Sequence, residues 1–278
     1  MRILVTGANG YLGCGIVTTL LDKGHEVIAV DRYDDNIDSR SNIITTDIFS
    51  ETMELEEAGN ADTILHLAWR DGFVHYADSH IDDLPKHYKL IKKFIGLGAR
   101  KISVMGSMHE IGFFEGSINE NTPCNPITPY GISKNALRML TKQLCGDEVT
   151  FQWLRGFYIV GNTLNGSSIF SKIASAANEG EKEFPFTQGL NQFDFIDYKD
   201  FCTQVVAAIT QDEINGIINI CSGRPEKLAD RVERFINDNG YDIRLKYGAF
   251  PDRPYDSKAV WGDDAKIRMI LKAESMKL

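Results

Sequence analysis

The sequence contains no CxxC pair, and its five cysteines, Cys14, Cys124, Cys145, Cys202 and Cys221, are odd in number and widely spaced. That pattern argues against a disulfide framework or a zinc cluster and fits a reducing cytoplasm. The six histidines (25, 66, 75, 80, 87 and 109) form no HExxH or comparable spacing, so no metal is expected. There is no run of Lys and Arg. With 39 acidic against 30 basic residues the formal charge is -9, which repels nucleic acid and anionic membranes, and neither is expected as a partner. No stretch approaches the roughly 18 apolar residues of a membrane helix. The opening MRILVTGANG lacks the apolar length of a secretion signal, so a cytoplasmic protein is expected. Internal repeats and low-complexity tracts are also missing.

What the chain does have, in 278 residues of which 43% are hydrophobic, is enough apolar material for a full α/β core. Short β-branched runs at 3–6, 26–31, 42–46, 63–67, 101–105 and 151–157 alternate with amphipathic stretches, clearest at 11–23, 81–97 and 129–146. That alternation predicts a doubly wound parallel sheet of the Rossmann type. After Gly161 the regularity weakens, and turn residues concentrate at 162–193 and 222–262. The expected organisation is therefore a dinucleotide-binding domain over 1–161, completed by about 194–221, with a smaller discontinuous substrate lobe from 162–193 and 222–278. Residues 195–209 and 217–220 are read as a return to the main sheet.

The first functional signal follows the first predicted strand. Gly7, Gly10 and Gly13 form a GxxGxxG turn that opens a helix. Gly7 suits a tight turn, Gly10 lets backbone approach a pyrophosphate, and Gly13 lets helix and strand pack closely, with the helix N-terminus attracting phosphate. Asp31 ends the next strand, where a carboxylate binds ribose hydroxyls and repels a 2′-phosphate; Arg32 beside it attracts one. NAD is the expected cofactor, with NADP as the alternative.

The second signal is Tyr130-Gly131-Ile132-Ser133-Lys134. On a helix beginning near Pro129, residues 130 and 134 share a face. A phenol titrates near pH 10, so Lys134 is expected to lower the Tyr130 pKa and make the phenol an acid-base group. Ser107 lies just past the predicted strand at 101–105, where its hydroxyl can orient a substrate oxygen toward Tyr130.

Together these residues resemble the extended short-chain dehydrogenase/reductase family, in its nucleotide-sugar epimerase, dehydratase and ketoreductase group. The likeness rests on TGANGYLG at 6–13, Asp47-Ile48, His66-Leu67-Ala68, Ser107, PYGISK at 129–134, LRGFYIVG at 154–161, FDFID at 193–197, NICSG at 219–223 and Arg253-Pro254. The resemblance implies a cofactor site that adds Asn9, Tyr11, Leu12, Asp47, Ile48, Leu67 and Ala68 to the residues above, together with Tyr130 and Lys134. It implies Ser107, Tyr130 and Lys134 as the catalytic set, Arg253 on the diphosphate of a nucleotide sugar, and a homodimer.

The departures from the family pattern narrow the reaction. Dehydratases of the family carry an Asp-Glu pair after the hydroxyl residue, whereas Ser107 is followed by Met108-His109, which sets a dehydratase aside. His109 stands where one branch of the family moves protons with a cysteine; imidazole can do such work, or can simply shape the sugar pocket together with Met108. Tyr158 replaces a family asparagine and Phe193 a family arginine, so a standard UDP-sugar pocket is not expected. The expected activity is NAD(P)H-dependent reduction of the C4 ketone of a nucleotide-activated 4-keto-6-deoxyhexose. The alternatives are an NAD-dependent 4-epimerase and a non-catalytic dinucleotide sensor. His75, His80 and His87 are expected to line a loop and helix surface.

Overall fold

The computed structural model describes residues 1–50, 60–161, 168–251 and 257–276. Its first half runs β1 (Arg2–Thr6), α1 (Tyr11–Asp22), β2 (Glu26–Asp31), β3 (Asn42–Thr45), β4 (Thr63–His66), α2 (Ser79–Gly96) and β5 (Lys101–Ser107). A single turn of 3₁₀ helix at Met108–Glu110 leads to β6 (Gly116–Ile118), α3 (Pro129–Cys145), β7 (Thr150–Gly156) and β8 (Tyr158–Val160). The remainder comprises α4 (Ile169–Asn178), β9 (Glu183–Pro185), β10 (Gln192–Asp197), α5 (Tyr198–Ile209), β11 (Gly216–Ile220) and β12 (Pro225–Lys227). It ends with α6 (Leu228–Asp238), β13 (Arg244–Lys246), β14 (Ala259–Gly262) and α7 (Ala265–Ser275).

Seven strands form one parallel sheet in the order β11-β7-β5-β4-β1-β2-β3. The central strands read as unbroken apolar runs, such as Val27-Ile28-Ala29-Val30, because both faces are covered. Helices α1, α5 and α7 cover one face around Ile16, Leu20, Val205 and Ile267, while α2 and α3 cover the other around Ile91, Phe94 and Leu137. The chain winds outward in both directions from β1, so the crevice beyond the C-terminal ends of β1 and β4 is the topological switch point where such sheets take ligands.

A second sheet, β12-β10-β14-β6 with β8 beside β10, stands apart from the first and packs on α4 and α6 through Phe170, Phe195, Val232 and Phe235. Strands β9 and β13 form a separate pair. One expectation is corrected here: of the segment 195–209, only helix α5 returns to the main sheet. Strand β10 instead joins the second sheet, pairing Phe195 with Tyr158 and Phe193 with Val260. Its alternating aromatic residues suit any half-buried strand and do not name a partner. Among the described residues, no helix is long and apolar enough to cross a membrane.

Candidate active site

The glycine turn makes a cradle of bare backbone. Gly7 adopts φ 75°, and a Cβ there would lie 2.6 Å from the Ala68 amide nitrogen, so the turn sits directly against the end of β4. A Cβ on Gly13 would lie 2.1 Å from the Gly7 carbonyl oxygen, which fixes how closely α1 approaches the turn. Gly10 caps α1 without any side-chain bond, leaving the first N–H groups of the helix directed into the crevice. Asp31 stands at the rim, its carboxylate accepting from the backbone N–H of Asn9 (3.0 Å) and of Arg32 (2.7 Å). The Asn9 side chain in turn accepts from Asn36 N–H at 2.8 Å. A pyrophosphate fits the bare helix terminus and a ribose fits the poised carboxylate, so these residues suit a dinucleotide.

The other expected cofactor residues have mixed surroundings. Leu67 continues β4 by donating its N–H to the Thr6 carbonyl, and Ala68 faces Gly7. Tyr11 stacks on Tyr198, whose hydroxyl donates to the Tyr11 carbonyl and accepts from Gly15 N–H. Leu12 packs into the core beneath α1. Asp47 caps its own turn by accepting from Phe49 N–H, and Ile48 is buried. Arg32 is exposed.

Tyr130 and Ser107 are brought together by helix α3 and strand β5. Thr128 caps α3 by accepting from Gly131 N–H at 3.2 Å, and Pro129 occupies the first turn, where no N–H is required. Gly131 lets the helix start press onto the 3₁₀ turn: a Cβ there would sit 2.4 Å from the His109 carbonyl oxygen. Ser107 ends β5 and accepts from His109 N–H at 3.3 Å. Burial pushes the Tyr130 phenol up to about 12, with a hydrogen bond to Ser107 pulling the other way.

This corrects the expectation that Lys134 makes the phenol unusually acidic. The ammonium donates to the Met105 carbonyl at 2.8 Å and lies 3.9 Å from the centre of the Trp69 ring, and desolvation draws it down to about 7. Loss of water is the largest influence on both groups.

Around Tyr130 is an aromatic enclosure that the sequence did not reveal. The His75 ring lies parallel to the phenol, 5.0 Å between centres and 7° between planes, and its carbonyl accepts Tyr130 N–H at 3.1 Å. His109 packs against His75 (4.4 Å), Tyr130 (6.0 Å) and Tyr158 (6.5 Å), and burial lowers its imidazole to about 4. Tyr158 continues to Phe193 at 4.7 Å, so the two departures from the family pattern form one wall. Met108 points instead into a core cluster with Ile111, Ile118 and Phe157, which gives its side chain a packing role in place of the expected substrate contact. Arg253 lies outside the described residues.

His80 and His87 are only 1% exposed, correcting their placement on a surface. Seven residues apart, two turns of α2, they share its inner face with Leu90, Ile91 and Phe94. Thr6 Oγ1 meets His66 Nδ1 at 2.7 Å, His66 Nε2 meets His87 Nδ1 at 2.8 Å, and Trp69 stacks on His87 at 4.6 Å. Burial lowers His66 to about 3 and His87 well below the ordinary imidazole range. Because the unfolded chain binds these protons near pH 6.5 and the folded chain does not, stability is full above that pH and is lost as pH falls below it. The expected slope approaches about 1.4 kcal/mol per pH unit for each of the two histidines between roughly pH 6 and 4. Urea unfolding across that range measures it, and His87→Phe should remove about one histidine's share of the slope.

Sequence reading also missed Glu110, although the Ser107-x-x-Glu110 spacing of a capping box was there to be read. Its fully buried carboxylate accepts from Ser107 N–H at 2.7 Å and Trp153 Nε1 at 2.6 Å. The guanidinium groups of Arg138 and Arg155 lie 3.5 and 3.6 Å from its other oxygen. Among the described residues, no group of three or more His, Cys, Asp or Glu side chains converges as a metal site.

Comparison with known proteins adds to this geometry. Residues 3–221 match the model of a family described as the NAD dependent epimerase/dehydratase family. The chain is 43% identical over 269 residues to the dTDP-6-deoxy-L-talose 4-dehydrogenase (NAD(+)) of Aggregatibacter actinomycetemcomitans, covering 94% of this chain and 99% of that one. It is 22% identical over 287 residues to the GDP-6-deoxy-D-talose 4-dehydrogenase of the same organism, covering 98% and 91%. Among solved structures, the UDP-glucuronic acid 4-epimerase from Bacillus cereus, in complex with UDP-glucuronic acid and NAD, overlies it with a TM-score of 0.81 at 20% identity. That overlay covers 98% of this chain and 93% of the epimerase, and it is a likeness of fold.

Proposed function

The chain belongs to the NAD dependent epimerase/dehydratase family, and on that premise we propose that it is a C4 oxidoreductase of a nucleotide-activated 6-deoxyhexose. The cofactor is NAD. The reaction interconverts the 4-keto sugar and its 4-hydroxyl form, and we take the dTDP-linked sugar of the 43% identical relative, 6-deoxy-L-talose, as the first candidate for the reduced form. The single observation that selects this reading among the reactions of the family is that end-to-end match to an enzyme acting at C4.

When bound, the dinucleotide supplies or accepts the hydride at C4. The remaining chemistry falls to this chain. Tyr130 gives its phenolic proton to the ketone oxygen as that oxygen gains negative charge, and takes it back in the reverse direction. Ser107, hydrogen-bonded to the phenol, orients the same oxygen, and the Lys134 ammonium one turn along α3 favours the negative charge that Tyr130 carries once its proton is given. The rings of His75, His109 and Trp69 pack around the phenol, and the buried Glu110 holds the Ser107 turn. The sugar is positioned by the wall of His109, Tyr158 and Phe193, whose apolar character suits a C6 methyl better than a hydroxymethyl.

The test is incubation with NADH and dTDP-4-keto-6-deoxy sugars, following the absorbance of the reduced nicotinamide and identifying the product by NMR. Stoichiometric consumption of NADH with a 4-hydroxyl product is the expected result. A protein that purifies with tightly held NAD and equilibrates 4-epimers without added NADH would be an epimerase, and the proposal would fail.

A further inference from the structure

The residue after the His66-Leu67-Ala68 segment is Trp69, and its indole touches the site from two directions. The Lys134 Nζ lies 3.9 Å from the ring centre, and the Tyr130 ring meets it edge-on with 6.2 Å between centres. The indole is itself fixed. Its Nε1 donates to His80 Nδ1 at 3.1 Å, and His80 Nε2 is bonded to the Val74 carbonyl at 2.9 Å. Its ring stacks on His87 with 10° between planes, and His87 is bonded through His66 to Thr6 on β1. The platform under the ammonium is thus tied to β1, β4, α2 and the 69–78 loop.

Lys134 is 4% exposed and lacks a carboxylate at salt-bridge distance among the described residues. A buried ammonium without a counter-ion loses its proton unless something else favours the charge. The Met105 carbonyl accepts one N–H at 2.8 Å. The face of an indole is the strongest π surface available for a cation, and its attraction grows when water is excluded.

We propose that Trp69 is a positioning residue of the active site, whose indole face holds the Lys134 ammonium in place and keeps it charged in a site without a carboxylate partner. The titratable groups that act on this ammonium are the Glu110 carboxylate from the turn after β5, the His66 imidazole from β4 and the His87 imidazole from α2, with the Tyr130 phenol one turn earlier on its own helix. Glu110 favours the charge at a distance, the imidazoles oppose it when protonated, and both imidazoles are held neutral by burial. Burial draws the ammonium down to about 7 against the pull of Glu110, and the indole face adds to the groups that favour the charge.

Two measurements on the full chain test this, and the first needs no substrate. The fluorescence of the protein without added ligand is followed from pH 5.5 to 8.5, values chosen to bracket about one and a half units either side of a pKa near 7. A change in emission with its midpoint near 7 is expected in the wild type and absent from both Lys134→Met and Trp69→Phe. The second is the pH dependence of kcat/KM for ketone reduction. Trp69→Leu, which keeps the site apolar but removes the π face, should move the alkaline limb down by about one pH unit and lower kcat with little effect on KM. Trp69→Phe should recover at least half of that shift. Identical emission titrations in wild type and Lys134→Met, or an unshifted limb in Trp69→Leu, overturn the proposal. Because the emission titration is read without a sugar, a wrong assignment of the substrate leaves it intact.

Discussion

Replacing Tyr130 with phenylalanine is expected to lower kcat for ketone reduction by about 10²- to 10⁴-fold while leaving NADH affinity within a few-fold. The variant keeps the ring that stacks on His75 and packs against His80, Trp69 and His109, so the enclosure survives and only the oxygen is lost. With the phenol pushed up to about 12, Tyr130 stays protonated throughout the neutral range and serves as a proton reservoir for the reducing direction. Its own titration therefore leaves the reduction rate flat near pH 7, and a fall of rate above neutrality belongs to Lys134, whose ammonium deprotonates near 7. Steady-state kinetics with a fluorescence titration of NADH separates the two effects. A loss smaller than about tenfold would place the proton donor elsewhere, with His109 the first group to test.

Glu110→Ala is expected to be the most damaging single change to stability. The substitution strips partners from Ser107 N–H and Trp153 Nε1, both deep in the protein, and leaves the wholly buried Arg155 without its neighbouring negative charge. Removing one member of a buried ion pair typically costs about 3–5 kcal/mol. For a chain of this size that corresponds to a fall in Tm of roughly 10 °C, measurable by calorimetry. Glu110→Gln retains an acceptor oxygen and should lose less than half as much. In any folded fraction of the alanine variant kcat should also fall, because the carboxylate that fixes the turn carrying Ser107 is gone. Wild-type stability in Glu110→Ala would mean that the cluster is not a structural support.

The glycine turn was the most legible part of the candidate site. Gly7, Gly10, Gly13 and Asp31 are close in sequence, act largely through backbone geometry, and lie where a strand-turn-helix pattern must place them. The pairing of Ser107 with Tyr130 was also readable, because parallel strands deliver their C-terminal ends to one edge. What remained hidden was the company these residues keep. Neither histidine periodicity on α2 nor the position of Trp69 says that His66, His87 and Trp69 meet, since they come from a strand, a helix and a loop joined only by packing.

The same division explains the one chemical expectation that reversed. Spacing on α3 dictated that Tyr130 and Lys134 face the same way, and that alone suggested an acidic phenol. Whether a nearby charge or the loss of water dominates a pKa depends on how many groups from distant parts of the chain close over the site. The sequence by itself determined the alternation of strands and helices, the glycine turn and the tyrosine-lysine register, because each follows from local spacing and backbone sterics. Only the tertiary structure decided the protonation of those groups and the partners of Glu110 and Trp69, because burial is a property of the assembled core.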